Sequence, residues 1–97
     1  MITQFKIFEE KIWNDDIGSY VIVKSSNHSE FFENNIGKIS KMYYPGAWFD
    51  VEYDNIPEKI SRYLDYKAGQ FNVADILIKS KDKKECEDYL TMKKFNL

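Results

Sequence analysis

The clearest hydrophobic signal in the chain is Ser19-Tyr20-Val21-Ile22-Val23-Lys24, an unbroken run of β-branched and aromatic residues that predicts a strand. Two further strands are predicted over 36–42 and 48–53. In the second of these Phe49, Val51 and Tyr53 alternate with Asp50, Glu52 and Asp54, so the first set faces a core and the acids face water. Between them lies Tyr43-Tyr44-Pro45-Gly46-Ala47. Its Pro-Gly step suits the middle of a turn, since proline fixes φ and glycine tolerates a positive φ. Matching the faces of the two strands predicts an antiparallel hairpin with Ile39 opposite Val51, Lys38 opposite Glu52 and Met42 opposite Trp48. A slip by one residue would set Ile39 against Glu52.

The remaining segments are less regular. On a helix, Ile2, Phe5, Phe8, Ile12 and Trp13 share an arc of about 140°, which favours a helix over 2–13. Asn14-Asp15-Asp16-Ile17-Gly18 then reads as a tight turn. Residues 25–35 form a polar loop, interrupted by Phe31-Phe32. Residues 57–67 fit either a helix opened by Pro57, with Ile60, Tyr63 and Leu64 as its stripe, or a fourth strand. The stretch 71–78 reads as a short turn feeding a final strand. A helix capped by Ser80 follows to about Phe95, with Cys86, Tyr89, Leu90 and Lys93 on one side. The expected fold is α+β: a small bent antiparallel sheet or barrel, with a C-terminal helix and an N-terminal one. All 97 residues form one domain, the barrel occupying about 17–79 and the last helix about 81–95.

Composition narrows the function classes. Aromatic residues make up 16% of the chain and the net charge is −2, a balance that describes a folding chain rather than a disordered one. The charge supplies neither the basic field of a non-specific nucleic-acid binder nor the strong acidity of a DNA mimic. A single cysteine, Cys86, excludes an intramolecular disulfide. The first residues lack the basic and apolar regions of a signal peptide, and no apolar run reaches the length of a membrane span, so a cytoplasmic location is expected. Arg62 is the one arginine among 14 basic residues, and Ile, Asn, Lys and Tyr are plentiful. Their codons are AT-rich, which points to a phage or low-GC bacterial genome.

Residues 17–54 carry a resemblance. Ile17-Gly18-Ser19-Tyr20-Val21-Ile22-Val23, the aromatic-bearing loop after it, Asn35-Ile36-Gly37-Lys38-Ile39 and Phe49-Asp50-Val51-Glu52-Tyr53 follow one another as the first strand, first loop, second strand and third strand of a barrel. This stretch resembles a Src-homology-3-like barrel of the KOW kind. The resemblance implies a barrel used for protein or nucleic-acid contact, with no enzymatic activity. The typical KOW segment has a glycine-rich turn in its first loop, whereas residues 25–35 here contain no glycine.

Catalytic constellations are sparse. No phosphate-binding loop, dinucleotide fingerprint, HExxH or nucleophile elbow occurs. His28 with Glu30 and Glu33 could be drawn as a metal site on a loop, but a solvated polar loop is the better explanation of them. Cys86 reads as a small core residue. Asp50, Glu52 and Asp54 are explained by strand alternation. The lysines of the last helix, among them Lys83, Lys84, Lys93 and Lys94, are interspersed with Asp82, Glu85, Glu87 and Asp88, as on a solvated face. No cofactor, metal or catalytic residue is therefore expected. The strongest lead is Trp48, which alternates out of phase with the core set and should face outward beside Tyr43 and Tyr44. With Asp50, Glu52, Phe31 and Phe32 these make up the candidate binding residues. The expected function is a non-enzymatic protein-interaction module, such as a small regulator or inhibitor. The alternative is a KOW-like domain that binds RNA.

Overall fold

The computed structural model describes residues 14–43, 46–66 and 70–95. The helix expected over 2–13 and the candidate residue Tyr44 lie outside the described residues. In chain order the elements are a 3-10 turn (Asn14–Asp16), β1 (Tyr20–Val23), α1 (Ser29–Phe32), β2 (Gly37–Tyr43), β3 (Trp48–Glu52) and α2 (Glu58–Tyr66). They continue with β4 (Gln70–Asn72), a second 3-10 turn (Val73–Asp75), β5 (Ile76–Ser80) and α3 (Lys83–Phe95). The strands form one antiparallel sheet in the order β4-β3-β2-β1-β5, with helices around it. This is a small α+β fold.

β1 explains much of the arrangement. Val21, Ile22 and Val23 are all fully buried, the mark of a strand covered on both faces. Val21 and Val23 join Phe32, Ile39, Phe49, Val51, Ile60 and Phe71 in the main core. Ile22 alternates to the other face, where α3 packs on β1 and β5 and buries Cys86. Tyr89, Leu90 and Lys93 are half-buried on the same helix, as the sequence predicts.

The polar loop after β1 is shorter than expected, because Phe31-Phe32 folds into α1. His28 enters it with φ of 55°, in the left-handed region. Phe32 is fully buried, and its ring centroid lies 5.3 Å from Phe31, 5.4 Å from Phe71, 5.8 Å from Tyr53 and 6.0 Å from Tyr63. Such edge and tilted contacts are the favoured aromatic geometry. Residues 57–67 take the helical alternative as α2, with Ile60 buried and Tyr63 and Leu64 packed on the core. Pro57 stands just before the first helical residue rather than on it, because its carbonyl accepts from the Ile60 and Ser61 amides.

Two sequence expectations are corrected. The hairpin pairs Lys38 with Glu52 and Ile39 with Val51 as predicted, but the register then shifts. Lys41 stands opposite Asp50, Met42 opposite Phe49 and Tyr43 opposite Trp48. Regular alternation from Ile39 would turn Lys41 into the core, where an unpaired ammonium is costly. One extra residue, Ser40, returns Lys41 to the surface and turns Met42 inward. The second correction concerns α3. Its first turn is capped by Asp82, whose Oδ1 accepts from the Lys84 amide at 3.0 Å, while Ser80 Oγ accepts from the Asp82 amide at 2.9 Å and donates to Glu85 Oε1. Ser80 remains the last residue of β5.

Candidate functional site

The outer face of β2, β3 and β4 is the candidate interface. α3 lies over β1 and β5, so it does not reach Trp48, which is 45% exposed. The bulge at Ser40 sets Tyr43 directly across from Trp48. Tyr43 Oη donates to Asp50 Oδ2 at 2.8 Å, and Lys41 Nζ sits 5.0 Å from the centroid of the Tyr43 ring. The bond to Asp50 raises the Tyr43 hydroxyl above its ordinary pKa. Burial and the charge of Asp50 act in the same direction, and Gln70 opposes them.

Asp50 is half-buried and stands between its cross-strand neighbours, Lys41 on β2 and Gln70 on β4. Its Oδ1 is buried with no hydrogen-bond partner. Glu52 is exposed and stands opposite Lys38, whose ammonium lies 5.4 Å from the centroid of the Tyr20 ring. Asp54 falls beyond the end of β3, outside the strand alternation expected to group it with Asp50 and Glu52. The face therefore presents an aromatic pair at one end, a balanced set of charges along it, and lysines held over tyrosine rings of their own chain. The groups it offers are those of stacking and hydrogen bonding.

Of the candidate residues, Tyr43, Trp48, Asp50 and Glu52 are brought together here. Phe31 and Phe32 are not. Phe32 is a core residue with no exposed surface, and Phe31 is half-buried, edge-on to Phe32 and Tyr53 on the inner side of the sheet. Lys41, Gln70 and Asn72, the last standing opposite Trp48, belong to the face but were missed by sequence reasoning. The polar-apolar-polar pattern Gln70-Phe71-Asn72 was the available signal for β4, at three residues too short to separate from the turn after it.

The other groups with chemical potential sit in structural roles. The His28 ring packs edge-on to Tyr63 at 4.9 Å. Among the described residues no three His, Cys, Asp or Glu side chains gather as metal ligands would. Burial pushes the Cys86 thiol up to about 11, helped by the negative charges of Glu85, Asp82 and Glu87. The Tyr53 hydroxyl is buried without a partner, and its pKa is likewise raised by burial. No helix among the described residues is long and apolar enough to cross a membrane. No protein-family model matches the chain, and no curated protein or solved structure is significantly similar to it.

Proposed function

We propose that the chain is a non-enzymatic protein-interaction module, a small regulator or inhibitor that engages its partner through the outer face of β2 and β3. The observation that carries this reading is Trp48, exposed on that face beside Tyr43. Tryptophan and tyrosine are enriched where binding energy concentrates, and exposed aromatic clusters cost solubility unless they are used. The resemblance to a Src-homology-3-like barrel of the KOW kind fits the same reading. Its first three strands correspond to β1, β2 and β3, which are neighbours in the sheet, and β5 returns to pair with β1.

The RNA-binding alternative finds less support. Phe31 and Phe32 of the first loop turn inward rather than offering stacking platforms. The lysines of the outer face are matched by Asp50 and Glu52. Affinity capture from a native host lysate, with and without nuclease, separates the two readings. A protein retained after nuclease treatment and lost with Trp48→Ala supports the proposal. Retention that disappears with nuclease supports RNA.

A further inference from the structure

The polar groups around Trp48 are unequal in what they leave for a partner. Asp50, the acid one row along the sheet, is engaged within the protein. Its Oδ2 accepts from Tyr43 Oη at 2.8 Å, and its Oδ1 is buried away from solvent. The Gln70 side chain bonds the same Tyr43 hydroxyl. Asn72, across from Trp48, accepts from the Ala74 amide through Oδ1 at 2.9 Å. That contact fixes the orientation of its amide and leaves Nδ2 as a donor. The indole of Trp48 is also a donor and has no acceptor.

A second observation concerns Lys41. It is exposed, and its ammonium lies 5.0 Å from the centroid of the Tyr43 ring, which brings the charge up to the row that holds Trp48. Among the described residues it forms no ion pair with a carboxylate. A cation held over a ring at an exposed site gains about 0.5–1 kcal/mol, so the ring orders the ammonium and leaves its three N–H donors open. Glu52, the exposed acid of this face, stands four residues from Trp48 on the same strand, about 13 Å away. The Trp48 end therefore offers a bare indole, N–H donors and one outward positive charge, while its own acid is turned inward.

We propose that the partner segment docked here is acidic: one of its carboxylates takes the Lys41 ammonium while an apolar or aromatic side chain within two residues of it stacks on Trp48. The inference rests on the reading of the outer face as a protein-binding surface, and it adds the chemistry of the partner. A carboxylate supplies acceptors where the face has donors, and it meets a lysine already ordered by the Tyr43 ring, which lowers the entropy lost on binding. Spacing sets the two-residue limit, since adjacent rows of the face are about 7 Å apart and an extended partner advances about 3.3 Å per residue. A nucleic-acid strand is a poorer fit, because its phosphates call for successive cations. The next lysine on β2, Lys38, stands opposite the acidic Glu52.

The test is selection of a random-sequence peptide library, displayed on phage, against the full chain, followed by calorimetry on the enriched peptides made synthetically. The expected peptides carry Asp or Glu within two residues of an aromatic or aliphatic side chain. Trp48→Ala should weaken them by about fivefold or more, and Lys41→Ala by about threefold or more. Lys41→Glu reverses the exposed charge and should turn the selection toward Lys and Arg, with the urea midpoint of each variant checking that it is folded. Enriched peptides that are basic or uncharged overturn the proposal, as does an affinity indifferent to Lys41→Ala. If such peptides still depend on Trp48, the acidic partner is withdrawn and the docking face stands. If no enriched peptide depends on Trp48, both the inference and the face on which it rests are lost.

Discussion

Gly37 shows how closely β2 and β3 approach. A Cβ built on it would lie 2.2 Å from Val51 Cγ1 and 2.8 Å from Tyr53 Cε1. Its φ is not in the left-handed region, so the constraint is space rather than backbone conformation. Gly37→Ala should therefore destabilise the fold by about 1–3 kcal/mol, the usual cost of overpacking, read as a lower urea midpoint. The sequence marked Gly37 as the residue leading the second strand, but not the tyrosine ring that fills the space of its missing side chain. Cys86 was legible as a buried thiol, and its behaviour with pH follows. Its pKa is raised in the fold from 9.0 to about 11. Between those values the unfolded chain ionises while the folded one does not. Its contribution to stability is thus full below about pH 9 and is lost as pH rises toward 11. Native protein should resist thiol alkylation near neutral pH, and Cys86→Ser should remove this part of the alkaline stability loss. Rapid alkylation of folded protein at neutral pH would contradict the burial of the thiol.

Among the elements, α3 offers the most direct test of local design. Asp82 satisfies an amide of the first turn that would otherwise lack a partner, so Asp82→Ala should cost about 1 kcal/mol. An unchanged urea midpoint would show that Ser80 suffices as the cap. The helix itself was legible from its spacing, while its cap was not, because Ser80 and Asp82 are both good capping residues and only the end of β5 decides between them. The β2–β3 hairpin divides in the same way. Alternation predicted the pairs at its open end. The bulge at Ser40 escaped prediction because it answers a conflict between two periodicities: Ile39 and Met42 both belong inside, three residues apart, and a regular strand cannot put them there. Residues 57–67 stayed open for a related reason, since Ile60, Tyr63 and Leu64 support a helical stripe only if something apolar lies beneath it. The rings of Phe32 and Phe71 supply that surface.

At the scale of the molecule, the aromatic residues divide into a set that holds the fold and a set left on its surface. This division was only half visible in the chain. Phe31-Phe32 and Trp48 look alike as large apolar residues among polar neighbours, yet Phe32 is the centre of the ring cluster and Trp48 stands outside it. The difference arises from topology, because α1 lies on the core side of the sheet while Trp48 occupies the outward phase of β3. Phe32→Ala should cost about 3–5 kcal/mol, a large share of the roughly 5–15 kcal/mol that stabilises a small domain. Trp48→Ala removes a side chain already 45% exposed, so its stability loss should be far smaller. Its binding loss should exceed about 1 kcal/mol, as at a hot spot. Urea unfolding and partner binding, measured on both variants, separate the roles. Phe32→Ala should lose binding only in proportion to the fraction unfolded, and Trp48→Ala should lose it while folded. If Trp48→Ala unfolds the protein as Phe32→Ala does, the indole belongs to the core, and the outer face of β3 is not where the partner docks.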